Sequence, residues 1–281
     1  MSGSRLTRRA ARPENPPAME AEPGRIVLAG VGVDAEEVRR FKKLAAGSQP
    51  WRLVFSPGEA ERLAAQPQPD LALCAAFCCK EAFCKALGER YPFVELECRF
   101  ADGADALEAV PSAALCERHG IAGVRVRLRG HYAADRGECV AEVCLFRTVV
   151  PPGGGAAWSP ATASATDGLP EVRTRLRSLA VADAVRGRAQ IEARQFSATE
   201  LVELNSRQVQ SLAGSLALKS ALVALWGDAG VSPPPSPRDF VLSHAPGGAP
   251  CIVQAPPGPQ GPFVSIAHTR TWAYGLAALA I

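Results

Sequence analysis

The feature that most restricts the fold of this chain is a helical signature that occurs twice. Phe55-Ser56-Pro57-Gly58-Glu59 recurs as Phe196-Ser197-Ala198-Thr199-Glu200, each with a Ser three residues before a Glu. That spacing is a capping box, in which the Ser hydroxyl and the Glu carboxylate satisfy each other's backbone amides at the start of a helix. Sixteen residues beyond each Phe a long apolar helix begins, Leu71 to Leu87 in the first copy and Leu212 to Trp226 in the second. Lys80 and Gly88 of the first helix correspond to Lys219 and Gly227 of the second, with the same internal spacing of eight. The caps lie 141 residues apart and the lysines 139, close to half of a 281-residue chain. A period of that length is the duplication of a domain, since solenoid repeats are several-fold shorter.

Strand signals complete each copy. Ile26 to Val33 is a β-branched, Gly-punctuated run, followed by candidates at Leu96–Phe100, Val124–Leu128 and Cys139–Phe146. The second copy offers Phe240–Leu242, Cys251–Val253, Phe263–Ile266 and Trp272–Ala280. Each half reads as helices packed on a small, mostly antiparallel sheet, an α+β unit. A three-stranded sheet has one apolar face to hide, so the two halves are expected to pack on each other. Composition sets the boundaries. Residues 1–24, rich in Arg, Pro and Ala, are expected to form a disordered tail; 25–150 form the first half; 151–170, "PPGGGAAWSPATASATDGLP", form a linker; and 171–281 form the second half.

A net charge of +3 gives no large nucleic-acid footprint, and no apolar run reaches the ~18 residues that span a bilayer. No apolar leader follows the N-terminus, so a cytoplasmic protein with reduced thiols is expected. Four of the nine cysteines fall in "CAAFCCKEAFCKALG", at Cys74, Cys78, Cys79 and Cys84. They read as small hydrophobes on a core helix. The competing reading, a thiol–zinc cluster of those four, lacks CxxC spacing and a neighbouring His.

Three short constellations could carry chemistry. In Gly30-Val31-Gly32-Val33-Asp34-Ala35-Glu36 a strand end presents two carboxylates, followed by Glu37 and Arg39-Arg40. The plain reading is a strand-to-helix turn with Asp34 as N-cap and Glu36 and Glu37 favouring the helix dipole. In Lys80-Glu81 with Lys85, the last two form an i,i+4 pair of an ordinary surface kind. Leu73 and Phe77 share a stripe with Glu81, however, and a carboxylate beside an apolar face needs a partner such as a metal ion. In Val264-Ser265-Ile266-Ala267-His268-Thr269 a strand ends in a His, which by itself is more often a structural hydrogen-bonder than a catalyst.

In their order, "GVGVDAEEVRRF", "FSPGEAERL", "FCCKEAFCKALG" and "VSIAHTRTWAYGLAAL" resemble the motifs of the holo-acyl-carrier-protein synthase branch of the 4′-phosphopantetheinyl transferases. The resemblance covers both halves, and it implies that family's α+β fold, with two synthase-like units fused in tandem about a pseudo-two-fold axis. It implies transfer of 4′-phosphopantetheine from coenzyme A to a serine of an apo acyl or peptidyl carrier protein, with Mg²⁺ as cofactor. Asp34 and Glu81 match the magnesium-binding carboxylates, and Glu36 an additional acidic ligand. Glu81, Lys85 and Asp34 become the catalytic set; Lys80, Lys85, Gly88, His268 and Thr269 the CoA contacts; and Arg39 and Arg40 the docking site for the acidic carrier protein.

The sequence departs from the family pattern in places. An arginine expected before the Lys-Glu motif is missing from Ala75-Ala76-Phe77, which leaves Arg270 and Arg125 to Arg129 as candidates for the CoA 3′-phosphate. The copies are also asymmetric: Ser220 and Ala224 stand where the first half has Glu81 and Lys85, with Asp183 as a possible relic of Asp34. The His strand belongs to the second half alone. One working site per chain and a monomer are therefore expected, with no nucleic-acid or membrane partner. The alternative is a catalytically inactive pseudo-dimer that only binds carrier protein or CoA.

Overall fold

Two hydrophobic helices, each laid across a three-stranded antiparallel sheet, organise the computed structural model. It describes residues 24–42, 52–100, 106–133, 137–149, 168–205, 209–245 and 248–281. Most of the expected tail and linker lie outside the described residues.

In the first half, α3 (Pro69–Leu87) covers a sheet of order β1-β5-β4, made of β1 (Ile26–Glu37), β5 (Glu138–Thr148) and β4 (Ile121–Ala133). In the second, α8 (Val209–Asp228) covers β6 (Val172–Ala180), β10 (Trp272–Ala280) and β9 (Phe263–His268), in the order β6-β10-β9. Smaller elements repeat as well. The first half adds α1 (Arg39–Lys42), α2 (Pro57–Ala64), a hairpin of β2 (Leu96–Phe100) with β3 (Leu107–Pro111), and α4 (Ala113–His119). The second adds α5 (Val181–Arg186), α6 (Arg188–Gln195), α7 (Ala198–Asn205) and a hairpin of β7 (Val241–His244) with β8 (Pro250–Gln254).

The strand registers fix the correspondence between halves. Glu37 pairs with Glu138 and Asp34 with Ala141 in the first sheet; Ala180 pairs with Trp272 and Arg177 with Gly275 in the second. Val38 and Val181, each just past its strand, both donate to a carbonyl ahead of the neighbouring strand, Gly137 and Thr271. Each half has its own core, around Phe83, Leu63 and Leu96 in the first and Trp226, Phe240 and Leu222 in the second. A third core lies where the sheets meet: Leu28, Val31, Val33 and Phe146 against Val172, Tyr274, Leu276 and Ala278. This is the hidden apolar face the sequence requires, and each large side chain buried there contributes roughly 1.5–3 kcal/mol.

The duplicated signature is a buried strut. Lys80 is fully buried; its Nζ lies 3.0 Å from Glu59 and donates to the carbonyls of Phe93 (2.8 Å) and Leu96. Glu59 also closes the capping box with Ser56 and accepts from the Cys98 amide at 2.7 Å. In the second copy Lys219 Nζ lies 2.8 Å from Glu200 and donates to Gln195 O at 2.8 Å, while Glu200 accepts from the Ser197 and Leu242 amides. Each ammonium stands over the Phe that opens its signature, 5.4 Å from the Phe55 ring centroid and 4.5 Å from that of Phe196. Lys80 therefore ties helix, cap and hairpin together inside the core and has no surface to offer CoA, which corrects the expectation drawn from its place in the motif.

Three further readings change. β1 continues through Glu37 because Glu36 and Glu37 keep their partners Cys139 and Glu138, so Asp34 is a strand residue and not a helix cap. β6 escapes a hydrophobicity search because Arg173, Arg175 and Arg177 occupy every second position. Asp183 sits on the surface of α5, paired with Arg186, and the register puts Arg177 where Asp34 stands in the first half.

All nine cysteines are free. The sulfurs of Cys74, Cys78 and Cys139 lie within 4.8 Å of one another, a grouping unlike the one the zinc reading proposed. The Cys78 and Cys74 thiols donate to the carbonyls of Cys139 (3.5 Å) and Glu36 (3.6 Å), and burial pushes the Cys78 thiol well up. They pack as protonated small hydrophobes. Helix α8 is long and apolar enough to cross a membrane, but Leu218, Leu222, Leu225 and Trp226 are fully buried against the second sheet.

Replacing Lys80 by Met is expected to lower stability by about 3–5 kcal/mol, because it strands the Glu59 carboxylate in the core. Lys219→Met should do the same to the second half, and Glu59→Gln combined with Lys80→Met should recover part of the loss. Equilibrium unfolding in urea measures all three.

Candidate functional site

A groove runs along the seam between the halves, and its floor is the end of β1. Two glycines bring that strand unusually close to α3. A Cβ on Gly32 would lie 1.8 Å from the Ala82 carbonyl oxygen, and one on Gly30 2.0 Å from that of Ala86. No side chain fits there, so the pair permits a strand-on-helix approach that other residues forbid. The approach puts Asp34, two residues beyond Gly32, beside Glu81 and Lys85 on α3.

Lys85 is the hub. Its Nζ lies 2.8 Å from Asp34 Oδ1 and 2.9 Å from the Val33 carbonyl, both on β1. It also donates across the seam to the Ile266 carbonyl of β9 at 3.3 Å. A second bond crosses nearby, from the buried Val33 amide to Ser265 Oγ at 3.1 Å. His268 ends β9 on the far wall. Asp34, Glu36, Glu81, Lys85, Ile266 and His268 thus line one cavity of about 430 Å³, together with Ser211, His244 and Pro250 of the second half. One neighbouring cavity of about 540 Å³ shares Glu36 and His268 and is bordered by Arg39, Arg40 and Arg270. Another, of about 1070 Å³, shares Glu81 and Lys85 and reaches Gly88, Arg90 and Tyr91.

The electrostatics are those of crowded carboxylates with too few cations. Burial raises Asp34 above the usual carboxylate range, against the Lys85 ammonium that lowers it, and Glu36 adds repulsion. Burial also raises Glu81, with the charge of Asp34 acting in the same direction. Partial desolvation and the Lys85 charge hold His268 below its usual range, opposed by Asp34 and Glu36. Oxygen donors in this state suit a hard divalent cation, which takes one or two protein carboxylates and completes its shell with water and phosphate oxygens. Asp34 and Glu81 fit that role. Glu36 is engaged by Arg40, and among the described residues only the three thiols bring three ligand atoms within 4.8 Å of one another.

The remaining expected residues are placed as follows. Gly88 ends α3 in the left-handed conformation (φ 79°), as a helix C-cap at the outer end of the groove. Thr269 borders the cavity of about 540 Å³ beside His268, but it is buried and its hydroxyl is given to Glu138 at 2.6 Å. Arg39 and Arg40 are exposed and paired with Glu37 and Glu36. Of the candidate phosphate-binding arginines, Arg270 borders the groove, whereas Arg125 and Arg127 bond to Pro170 and Thr174. Arg90, Ser211 and His244 have no motif around them. They reach the groove through the α3 C-terminus and the packing of the halves, so spacing along the chain carries no sign of them. The mirror position holds Arg177, Ser220 and Ala224 and none of this chemistry.

Crowding at the carboxylates makes a stability prediction. A carboxylate whose pKa is raised by folding costs stability once it ionises, and the cost disappears at low pH. Glu81→Gln is expected to raise the melting temperature at neutral pH in chelator-treated buffer. The gain should vanish below about pH 4, where the unfolded-state carboxylate is also protonated; scanning fluorimetry across pH reads it.

Comparison with known proteins bears on the same stretch. Residues 30–123 match the family model of the 4′-phosphopantetheinyl transferase superfamily. Similar solved structures include a holo-[acyl-carrier-protein] synthase from Neisseria meningitidis (22% identity, TM-score 0.37, covering 42% of this chain and 98% of that one). Others are the Bacillus anthracis synthase in complex with CoA (3′,5′-ADP) (19%, 0.35, 43% and 98%) and the Plasmodium yoelii synthase (17%, 0.36, 44% and 99%). A search of curated proteins finds no match. The matched stretch takes in Asp34 at the end of β1 and all of α3 with Glu81 and Lys85, and it is this part of the chain that is similar to the 4′-phosphopantetheinyl transferase superfamily.

Proposed function

We propose that the chain transfers the 4′-phosphopantetheine group of CoA to a serine of an apo acyl or peptidyl carrier protein, at one Mg²⁺-dependent site on the seam. The observation that carries this reading is the position of Lys85, bonded at once to Asp34 and Val33 of its own half and to Ile266 of the other, between Glu81 and His268.

In the reaction the carrier serine oxygen bonds to the β-phosphorus of CoA, the bridging P–O bond breaks, and 3′,5′-ADP leaves. Glu81, held above the usual carboxylate range and open to the groove, accepts the serine proton. Lys85 exchanges Asp34 for the phosphate that accumulates charge and stabilises the leaving group. His268 holds CoA from the opposite wall, and the lowered imidazole pKa makes it a neutral hydrogen-bonding group at physiological pH. Mg²⁺ held by Asp34 and Glu81 would supply charge neutralisation at the pyrophosphate. Arg39 and Arg40, exposed at the groove's end, suit the acidic surface of a carrier protein. Gly88 borders the larger cavity, which has room for the rest of CoA.

Incubation with an apo carrier protein, CoA and Mg²⁺ should add one phosphopantetheine, read by intact mass. Glu81→Gln should lower kcat by roughly 10²- to 10⁴-fold, and Lys85→Ala should remove measurable transfer. Ser220→Glu should leave turnover unchanged, because Ala224 stands where Lys85 is needed. No modification of several apo carriers by the wild type, with CoA or carrier still bound, would establish the inactive binding scaffold instead. Full activity of Glu81→Gln would overturn its assignment as base and metal ligand.

A further inference from the structure

Glu138 is a buried carboxylate with no part in the mechanism above. It opens β5 in the first half and is 2% exposed, yet the donors it meets come from the second half. Thr269 Oγ1 donates to Glu138 Oε1 at 2.6 Å and Thr271 Oγ1 to the same oxygen at 2.7 Å, while Tyr274 Oη donates to Oε2 at 2.5 Å. A buried carboxylate is costly unless its oxygens are hydrogen-bonded, and three converging hydroxyls meet that requirement with strong, directional contacts.

The same Thr269 oxygen accepts from the Thr271 amide (3.2 Å) and the Trp272 amide (3.0 Å), and the Thr269 amide donates to the Trp272 carbonyl at 2.8 Å. One atom therefore closes the β9–β10 turn and receives the anchor from the other half. His268 is the residue immediately before it. On the opposite wall, Glu36 pairs in register with Cys139, the neighbour of Glu138, and Asp34 lies two residues further along β1. Both walls of the groove are thus referenced to one strand end.

The arrangement is asymmetric in the same sense as the chemistry. By strand register the counterpart of Glu138 in the second half is Trp272, which has no carboxylate to offer. Among the described residues the clamp occurs on the side of the molecule where Asp34 and His268 face each other.

We propose that Glu138 is a positioning residue, a cross-seam clamp that sets the His268 turn against the Asp34 wall. Its consequence for catalysis rests on the reading of His268 as a CoA contact. The test combines two measurements on the full chain. Hydrogen exchange of the Thr269–Trp272 turn amides should quicken in Glu138→Gln while the α3 and α8 amides keep wild-type protection. In transfer assays Glu138→Gln should lower kcat/KM for CoA by about 10- to 100-fold, mainly through KM. Glu138→Gln with His268→Ala should be no worse than His268→Ala alone, because the clamp acts through that side chain.

Losses that multiply in the double variant would overturn the proposal, as would turn amides that exchange as in the wild type. If Glu138→Gln does not fold, Tyr274→Phe and Thr271→Val each remove one donor and enter the same cycle with the same criteria. Loosened turn amides in a chain whose wild type transfers nothing would support the clamp while overturning the proposed function.

Discussion

A buried ammonium–carboxylate strut, used twice, is the interaction on which both halves depend. Each Lys–Glu pair reaches a capping box, a backbone carbonyl, the hairpin's own amide and an aromatic ring. A charged pair removed from water is stabilising only when its other bonds are made, and removing either member leaves a charge without a partner. That accounts for a lysine fully buried in each copy, beside a helix whose other inward residues are almost all apolar.

The seam obeys a different rule. The two sheets meet through an apolar core, and the polar groups that cross it include Val33 to Ser265, Lys85 to Ile266, Glu138 to its three hydroxyls, and Arg127 to Thr174. The apolar core holds the halves together without specifying much about their offset, since such contacts are non-directional. The hydrogen bonds set that offset, and the first three of these crossings lie close to the groove. The order is strut, then sheet, then seam, then site.

Much of this was legible in the sequence. The duplication, the two core helices, most of the strands and the ordered motifs follow from spacing and from hydrophobic periodicity, which are local. Asp34, Glu81, Lys85 and His268 stood out because each sits at the end or on the edge of an apolar run, where a charge has to be explained. What failed had physical causes. Lys80 and Lys85 look equivalent in sequence, but five residues turn a helix through well over a full circle, so they face different surroundings. Thr269 adjoins His268 but lies in the turn after β9, where its hydroxyl is taken up by Glu138 and the turn amides. Glu138 had no signal, because its partners lie more than 130 residues away in the chain. The β6 strand was hidden by its alternating arginines, of which Arg173 and Arg175 reach Asp228.

One further consequence follows from a groove whose walls belong to the two halves of a single chain. A site shared between separate subunits dissolves on dilution, so its activity per molecule depends on how much protein is present. Here the connection between the halves holds the second wall at a high effective concentration however scarce the molecule becomes. Each copy of the chain carries both walls at a fixed one-to-one ratio. The groove therefore keeps both its walls at a handful of molecules as at thousands.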